Sequence, residues 1–251
     1  MRGTKQSMAE SFAWEYIDLA SLPALQSGEV HIYATTLEPD AWWTERASRS
    51  LDSLEQERAA RFRFEEDRFR FEKTRTLLRS LLAAYLSCSP EEITFREGPH
   101  GKPYLRETGR DLQFNVSHTK GAAVLAFARG FELGIDIEHA QRKVDVEGVG
   151  KRVFTRSERA SIGRRHGASS RRQFFRFWTA KEAYLKATGS GLSCDPAQIE
   201  ANFSDGRFNS ADDPSRVLPY SLREIPTGNH FLISMAHETC RPPELRLNQI
   251  A

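Results

Sequence analysis

The pentapeptide Gly134-Ile135-Asp136-Ile137-Glu138 predicts a β-strand with one apolar face and one acidic face. Side chains two apart on a strand point to the same side, so we expect the two isoleucines to enter a core while Asp136 and Glu138 face away from it together. The two carboxylates would lie about 7 Å apart and repel each other unless a positive charge lies between them. Two interpretations stay open: a solvated strand face, or a site for Mg²⁺ or Mn²⁺, which prefer oxygen ligands.

A second informative segment is the aromatic helix predicted from Ser170 to Thr188. Its apolar side chains recur at helical spacing, and Gly189 supplies the stop that is typical of the position just past a helix. Glu182 and Lys186 are four residues apart, in the order that favours an ion pair. They form either a surface ion pair of small energetic value or a third metal-binding carboxylate with a lysine that donates to a phosphate.

The first half of the chain repeats this layout of a long helix among strands. A helix is predicted from Glu55 to Leu86, after a strand at Glu29–Thr36. Three more strands are predicted behind it, at Leu112–Ser117, Ala122–Ala128 and Leu133–Glu138. We therefore predict an α+β fold of two similar α+β subdomains, each with a long helix packed on a small antiparallel sheet. The expected units are residues 1–130 and residues 131–251, with the candidate metal ligands in the second and the first ten residues disordered.

Composition and missing motifs exclude several classes of protein. The 251 residues carry 36 Lys+Arg against 34 Asp+Glu, too small an excess of positive charge for a nucleic-acid surface. No stretch approaches the apolar length of a membrane span, and the start lacks the apolar segment of a secretory signal. The three cysteines form no CxxC pair, and neither nucleotide-loop pattern, GxxxxGK[ST] or GxGxxG, occurs. We expect a cytoplasmic protein that binds neither nucleic acid nor membrane.

The segment from Phe114 to Gly121 (FNVSHTKG) predicts a strand that runs into a tight turn. Ser117 and His118 present a hydroxyl and an imidazole at the end of this strand, next to free backbone N–H groups. A nucleophilic serine would require an elbow such as GxSxG, which is absent. Binding of an anion through Ser117, His118 and Lys120 is therefore the favoured interpretation.

The segment from Arg58 to Arg79 combines eight basic with four acidic residues, interleaved with phenylalanines. It can be a solvated helix flank, a nucleic-acid surface or the source of two or three bases for one phosphorylated small molecule. The acids among the arginines argue against the second possibility. Together with the three carboxylates, these bases favour metal-assisted chemistry on a pyrophosphate, which works by positioning and charge neutralisation.

Four blocks in succession carry a family resemblance. They are Gly101-Lys102-Pro103, FNVSH (114–118), GIDIE (134–138) and FWTAKEAYLKATGSGL (177–192). In order and spacing they resemble the 4′-phosphopantetheinyl transferases of the surfactin type. The resemblance implies a monomeric pseudo-dimer of two α+β halves with coenzyme A in the cleft between them. It implies transfer of the 4′-phosphopantetheine group from coenzyme A to a serine of an apo acyl or peptidyl carrier protein, with release of adenosine 3′,5′-bisphosphate.

The resemblance also assigns the metal site and the catalytic groups. Asp136, Glu138 and Glu182 match the positions that hold Mg²⁺, or Mn²⁺, against the pyrophosphate of coenzyme A. Glu182 matches the general base for the incoming serine, directly or through water. Lys186 matches a lysine that contacts the pyrophosphate and stabilises the leaving group. Asp136, Glu182 and Lys186 are therefore the expected catalytic residues.

The remaining contacts with coenzyme A follow from the same resemblance. Ser117 and His118 match residues that bind its phosphates, and Lys102 and Pro103 match the loop beside the adenine. Arg58 and Arg96 are the expected bases for the 3′-phosphate. Weaker candidates for that role are Arg61, Arg70 and Arg75.

Two alternatives from other classes remain at this point. One is a catalytically silent binder of coenzyme A or of a carrier protein on the same fold. The other is a small RNA-binding module that uses the segment from Arg58 to Arg79.

Overall fold

Two five-stranded sheets form the middle of the molecule. The computed structural model describes residues 14–38, 41–106, 111–238 and 241–250, so the first ten residues, expected to be disordered, lie outside the described residues. The described strands are β1 (Glu15–Tyr16), β2 (Glu29–Thr36), β3 (Phe95–Glu97), β4 (Pro103–Leu105), β5 (Leu112–Thr119), β6 (Ala122–Arg129), β7 (Leu133–His139), β8 (Ile199–Asn202), β9 (Arg207–Ser210), β10 (Val217–Ile225), β11 (Phe231–His237) and β12 (Glu244–Ile250). The described helices are α1 (Ala41–Ser50), α2 (Ser53–Ala60), α3 (Glu65–Leu86), α4 (Val146–Val153), α5 (Arg156–Gly163) and α6 (Gly167–Thr188).

The two sheets differ in the direction of their strands. The first has the order β1-β12-β2-β6-β5, and β12 pairs in parallel with β2 and with β1. The second has the order β7-β11-β10-β9-β8 and is antiparallel throughout. The expectation of a small antiparallel sheet in each half therefore needs one correction, because the first sheet is mixed. The expected unit 131–251 also gives its last strand, β12, to the sheet of the other half.

The elements stack as helix, sheet, sheet, helix. Helix α3 covers the outer face of the first sheet, where Leu77 and Leu81 pack with Phe127. Helix α6 covers the outer face of the second sheet through apolar side chains such as Phe174. The inner faces of the two sheets meet in a third core that includes Ile135. The prediction of an α+β fold with one long helix in each half is confirmed.

The long helix expected from Glu55 to Leu86 is two helices. Asp52 caps α2 through a reciprocal capping box with Glu55, which fixes a helix start there. A second run of acids, residues 65–67, fills the first turn of α3, where negative charge stabilises the helix N-terminus. Helix α6 ends as expected, because Gly189 adopts a left-handed conformation with φ of 63°.

None of the helices in the described part of the chain combines the length and the apolarity that crossing a membrane requires.

Candidate functional site

Strand β7 has the two faces that its sequence predicts. Ile135 and Ile137 are buried in the core between the sheets. Asp136 points the other way, towards helix α6, and its Oδ1 lies 2.6 Å from Nζ of Lys186. The strand and the helix singled out in the sequence therefore meet, and a carboxylate of one contacts an ammonium group of the other.

Ser117 completes this contact from strand β5. Its hydroxyl donates to Oδ1 of Asp136 over 2.8 Å and accepts from Nζ of Lys186 over 2.8 Å. Lys186 also donates to the carbonyl oxygen of Ile135 over 3.3 Å. The bonds that Asp136 itself accepts, from Ser117 and from Lys186, both end on its Oδ1. Within the described residues the other oxygen, Oδ2, is buried and has no hydrogen-bond partner.

Strands β5 and β7 belong to different sheets, and polar side chains of β5 form hydrogen bonds to β7. Asn115 and Ser117 accept hydrogen bonds from backbone N–H groups of β7, over 2.9 Å to Ile135 N and 3.3 Å to Ile137 N. Thr119 follows on the same face of β5 and donates to Oε2 of Glu138 over 3.0 Å. The sequence analysis missed Asn115 and Thr119, although the spacing of two from Ser117 is a signal that could have identified them.

Glu138 is mostly buried and forms an ion pair with a basic neighbour. Its Oε1 lies 2.9 Å from Nη2 of Arg142, a residue that the sequence analysis did not single out. Burial raises the pKa of Glu138, the charge of Arg142 lowers it, and the charge of Asp136 raises it. The raised pKa records the free-energy cost of keeping two carboxylates near each other away from water.

Glu182 lies one helical turn before Lys186 and is half-buried. Burial raises the pKa of Glu182, the charge of Asp136 raises it further, and the charge of Lys186 lowers it. Its carboxylate forms no hydrogen bond or ion pair with any of the residues that the structure describes. Glu182 is therefore available to a ligand.

The three predicted metal ligands are not gathered around one point. Among residues 14–38, 41–106, 111–238 and 241–250, no three His, Cys, Asp or Glu side chains form a group that could hold a metal ion. Lys186 lies on Asp136 instead, and Arg142 lies on Glu138. The donor set still fits a hard divalent cation, because it consists of oxygens and Oδ2 of Asp136 is a buried acceptor without a partner. Burial disfavours the charged forms of Glu138 and Glu182 and so raises their pKa values. A cation bound there would stabilise the two charged carboxylates and so offset this cost.

A cleft of about 380 Å³ opens in front of Glu182 and Lys186. Both halves of the chain contribute to its walls, which are formed by His100, Gly101, Lys102, Pro103, Asn115, Val116, Glu182, Leu185, Lys186, Gly189 and Gly191. A second cavity of about 190 Å³ shares Pro103 and Val116 with this cleft. Its other wall residues are Phe71, Thr74, Arg75, Leu78 and His118. The two cavities are therefore adjacent parts of one groove.

Lys102 lies in the cleft wall, but its ammonium group is used elsewhere. Nζ donates to Oε2 of Glu132 over 2.6 Å and to the carbonyl oxygen of Ala187 over 2.8 Å. Only the rest of Lys102, together with Pro103, is left to line the cleft. The Lys102 ammonium thus links the loop at residues 98–103 to the end of α6 by a hydrogen bond.

His118 faces the second cavity at the end of β5. Desolvation by the walls around its ring lowers the pKa of His118, and the charges of Arg70 and Lys186 lower it further. Arg70 itself pairs with Asp67 over 2.9 Å. An imidazole near these two cations can donate to a phosphate oxygen, and the negative charge of that ligand would be balanced by the neighbours.

The predicted 3′-phosphate arginines are separated in the structure. The guanidinium of Arg58 lies 5.1 Å from the ring of Phe71, a wall residue of the second cavity. Arg75 lines that cavity itself, with Nε 2.7 Å from Oε1 of Glu55. Arg96, by contrast, is exposed over the ring of Tyr104 and lines neither part of the groove. Arg61 is also exposed and pairs with Glu57 on α2 over 3.7 Å.

A basic and acidic groove between two α+β halves thus defines the class of site, and comparisons with known proteins give the family. Residues 38–129 match the model described as 4′-phosphopantetheinyl transferase, N-terminal, and residues 132–235 match the model of the 4′-phosphopantetheinyl transferase superfamily. Each model covers one of the two halves that the fold displays.

Individual relatives agree with these matches. The chain is 37% identical to the 4′-phosphopantetheinyl transferase HetI of Nostoc sp. over 67% of its own length and 72% of the relative. It is 36% identical to a putative 4′-phosphopantetheinyl transferase of Synechocystis sp. over 70% of its length and 72% of the relative. The transferase Sfp of Bacillus subtilis is 28% identical over 77% of this chain and 85% of that protein. The chain belongs to the 4′-phosphopantetheinyl transferase family, a family of transferase enzymes.

Proposed function

We propose that this protein transfers the 4′-phosphopantetheine group of coenzyme A to a serine hydroxyl of an apo acyl or peptidyl carrier protein, and releases adenosine 3′,5′-bisphosphate. One observation carries the proposal. Lys186, which lines the cleft, meets Ser117 and Asp136 from two strands, and the carboxylate of Glu182 lies in the same cleft wall. Such a mixture of charges suits a diphosphate and its counter-ion better than it suits an uncharged ligand.

Coenzyme A would lie along the groove. In this arrangement the diphosphate is next to Lys186, and the adenine rests on the loop that contains Gly101 and Pro103. The 3′-phosphate extends into the second cavity, towards Arg75 and His118, with Arg58 behind Phe71. Each charged part of the ligand then has a basic partner, which supports binding of a molecule that carries several phosphates.

Asp136, Glu138 and Glu182 would hold Mg²⁺ or Mn²⁺ at the diphosphate. A divalent ion there neutralises charge on the diphosphate and polarises its phosphorus–oxygen bonds. The oxygen-only donor set and the unpaired Oδ2 of Asp136 support this assignment. To reach one ion, the carboxylates of Asp136 and Glu138 must release Lys186 and Arg142.

The chemical step needs a base and a group that stabilises the leaving phosphate. Glu182 accepts the proton of the serine hydroxyl, and the burial that raises its pKa makes it a stronger base than an exposed glutamate. The serine oxygen forms a bond to the phosphorus that carries pantetheine, and the bond from that phosphorus to the bridging oxygen breaks. Adenosine 3′,5′-bisphosphate leaves with the electron pair, and the ammonium of Lys186 balances its new charge.

The wider assignment follows from the same proposal. The protein acts as a cytoplasmic monomer with coenzyme A and a carrier protein as its partners, and without nucleic acid or membrane. Residues 1–130 and residues 131–251 form two subdomains, of which the second contains the metal ligands and gives β12 to the first sheet.

Mass spectrometry of carrier proteins tests this function directly. The protein is mixed with coenzyme A, Mg²⁺ and a set of apo acyl and peptidyl carrier proteins, and each carrier is weighed. We expect at least one carrier to gain the mass of one phosphopantetheine group, while the same carrier with its serine replaced by alanine gains nothing. Chelation of the metal by EDTA should stop the reaction. Binding of coenzyme A without a change in the mass of any carrier would instead indicate a silent binder.

A further inference from the structure

Lys186 and Asp136 form an ion pair that is largely shielded from water. The side chain of Asp136 is 7% exposed and that of Lys186 is 28% exposed. The attraction between the charges is therefore stronger than in an exposed pair, in which water screens it. Ser117 strengthens the contact, because its hydroxyl bonds to both partners.

The ammonium of Lys186 lies close to the position that a cation bound to Asp136 would occupy, so the two positive charges would repel each other strongly. It contacts Oδ1 over 2.6 Å, while Oδ2 of the same carboxylate remains a buried acceptor without a described partner. A divalent cation on Oδ2 would lie within a few ångströms of this positive charge, and the two would repel each other. Full use of the carboxylate by a metal ion therefore requires the ammonium to leave.

Lys186 is able to leave, whereas Lys181, which precedes it by five residues on α6, is not. Lys186 lines the open cleft, so its flexible side chain can turn towards a ligand there. Lys181 is fully buried, bonds to the carbonyl oxygens of Pro196 and Ile199, and lies 2.8 Å from Oε2 of Glu158. Lys181 is thus fixed in the fold, whereas the ammonium of Lys186 can move from Asp136 to a ligand in the cleft.

We propose, on the basis of the function proposed above, that Lys186 is the resident counter-ion of Asp136 and that a diphosphate draws it away and so opens the carboxylate to a divalent cation. Metal binding and coenzyme A binding then support each other, because each is favoured by the same movement of one ammonium group. Thermodynamic linkage makes this coupling reciprocal: coenzyme A raises the affinity for the metal by the factor by which the metal raises the affinity for coenzyme A.

Binding of Mn²⁺ to the whole protein tests the proposal without turnover. The electron paramagnetic resonance signal of free Mn²⁺ gives the dissociation constant for the wild type, for Lys186→Gln and for Lys151→Gln. The glutamine at 186 keeps a donor for Ser117 but removes the charge. Lys151 is the matched control, since it pairs with Glu147 on the exposed face of α4 and the same charge is removed. Without coenzyme A we expect Lys186→Gln to bind Mn²⁺ about tenfold more tightly than wild type, and Lys151→Gln to bind it like wild type.

Adding coenzyme A completes the experiment. It should tighten Mn²⁺ binding of the wild type by about tenfold and that of Lys186→Gln by much less. Equal affinities of wild type and Lys186→Gln, or an equal gain in Lys151→Gln, would overturn the proposal. If circular dichroism shows that Lys186→Gln is unfolded, Lys186→Met replaces it, and its affinity for Mn²⁺ without coenzyme A is compared with that of the wild type in the same way. A coupling present in a protein that modifies no carrier would refute the proposed function but not the role of Lys186.

Discussion

Gly134 lies so close to Ala187 that strand β7 and helix α6 touch through their backbones. A Cβ atom added to Gly134 would lie 2.3 Å from the backbone nitrogen of Ala187 and 2.1 Å from the carbonyl oxygen of Ala183. No larger residue fits there without moving the helix. Because of this close approach, the nearby side chains of Asp136 on the strand and Lys186 on the helix lie within hydrogen-bond distance of each other.

Replacement of Gly134 by alanine is therefore expected to weaken the fold and the site together. The free energy of unfolding should fall by about 1–3 kcal/mol, the usual cost of overpacking a core. Turnover should fall as well, because α6 must move away from Asp136. Gly163→Ala is the matched control: no atom lies within 4 Å of a Cβ at that position of α5, and alanine is the better helix former. Urea unfolding of both variants measures the difference, and equal stabilities would contradict the close-packing argument.

The elements that carry the site were predictable from local patterns. The alternation in 134–138 gives the two faces of β7, and the position of Gly189 gives the end of α6, because both are decided by the nearest few residues. The break between α2 and α3 also has a local signal, the run of three acids at residues 65–67 that marks a new helix start, which a continuous helix from Glu55 overlooks.

The contacts between distant segments were not predictable in the same way. Strand β12 pairs with β2, more than 200 residues earlier in the chain, and no local pattern indicates that partner. The sequence likewise does not show that the Lys102 ammonium turns to Glu132 and Ala187. Arg96 lies on β3, where neighbouring side chains face opposite sides, so the sequence does not show which side of the strand its guanidinium takes.

Conservative changes of the acids should remove activity and leave the fold intact. We expect Asp136→Asn and Glu182→Gln each to lower kcat by about a hundredfold or more, the range found when an acid–base or charge-stabilising group is lost. The exposed Glu147 on α4 provides the control, and Glu147→Gln should keep wild-type turnover. Initial rates of carrier modification measure the effect. Near-normal rates in either acid variant would refute its role.

The arginines near the second cavity should distinguish coenzyme A from dephospho-coenzyme A. If Arg58 and Arg75 bind the 3′-phosphate, then Arg58→Ala and Arg75→Ala raise KM for coenzyme A by about tenfold and change KM for dephospho-coenzyme A little, since a charge-assisted hydrogen bond is lost only with the former. Arg96→Ala tests the other assignment: its position over Tyr104, outside both parts of the groove, predicts an unchanged KM. Equal effects on both substrates would remove an arginine from the 3′-phosphate site.

The buried pair of Lys181 and Glu158 should matter far more for stability than the surface pair of Lys151 and Glu147. Both side chains of the first pair are at most 1% exposed, so Lys181→Met leaves a carboxylate buried without its partner. We expect a loss of about 3–5 kcal/mol in the free energy of unfolding. Lys151→Met breaks a pair that is more than half exposed, and should change the free energy of unfolding by less than about 0.5 kcal/mol. Chemical denaturation of both variants measures this contrast, and similar losses would contradict it.

His31 should make the protein less stable in mild acid. Its ring is fully buried, with Nδ1 2.7 Å from the hydroxyl of Tyr85 and Nε2 3.4 Å from Oε2 of Glu29. Burial lowers the pKa of His31 below its ordinary 6.5, the charge of Glu29 raises it, and that of Arg246 lowers it. Between the lowered pKa and 6.5 the unfolded chain binds a proton that the folded chain does not. The stabilisation is therefore present above the unfolded pKa and is lost as the pH falls below it, by at most about 1.4 kcal/mol per pH unit. His31→Gln should flatten this part of the curve, whereas the exposed His166→Gln should not. Urea unfolding from about pH 7.5 to about pH 5 tests this, and parallel curves for wild type and His31→Gln would assign the acid sensitivity to other groups.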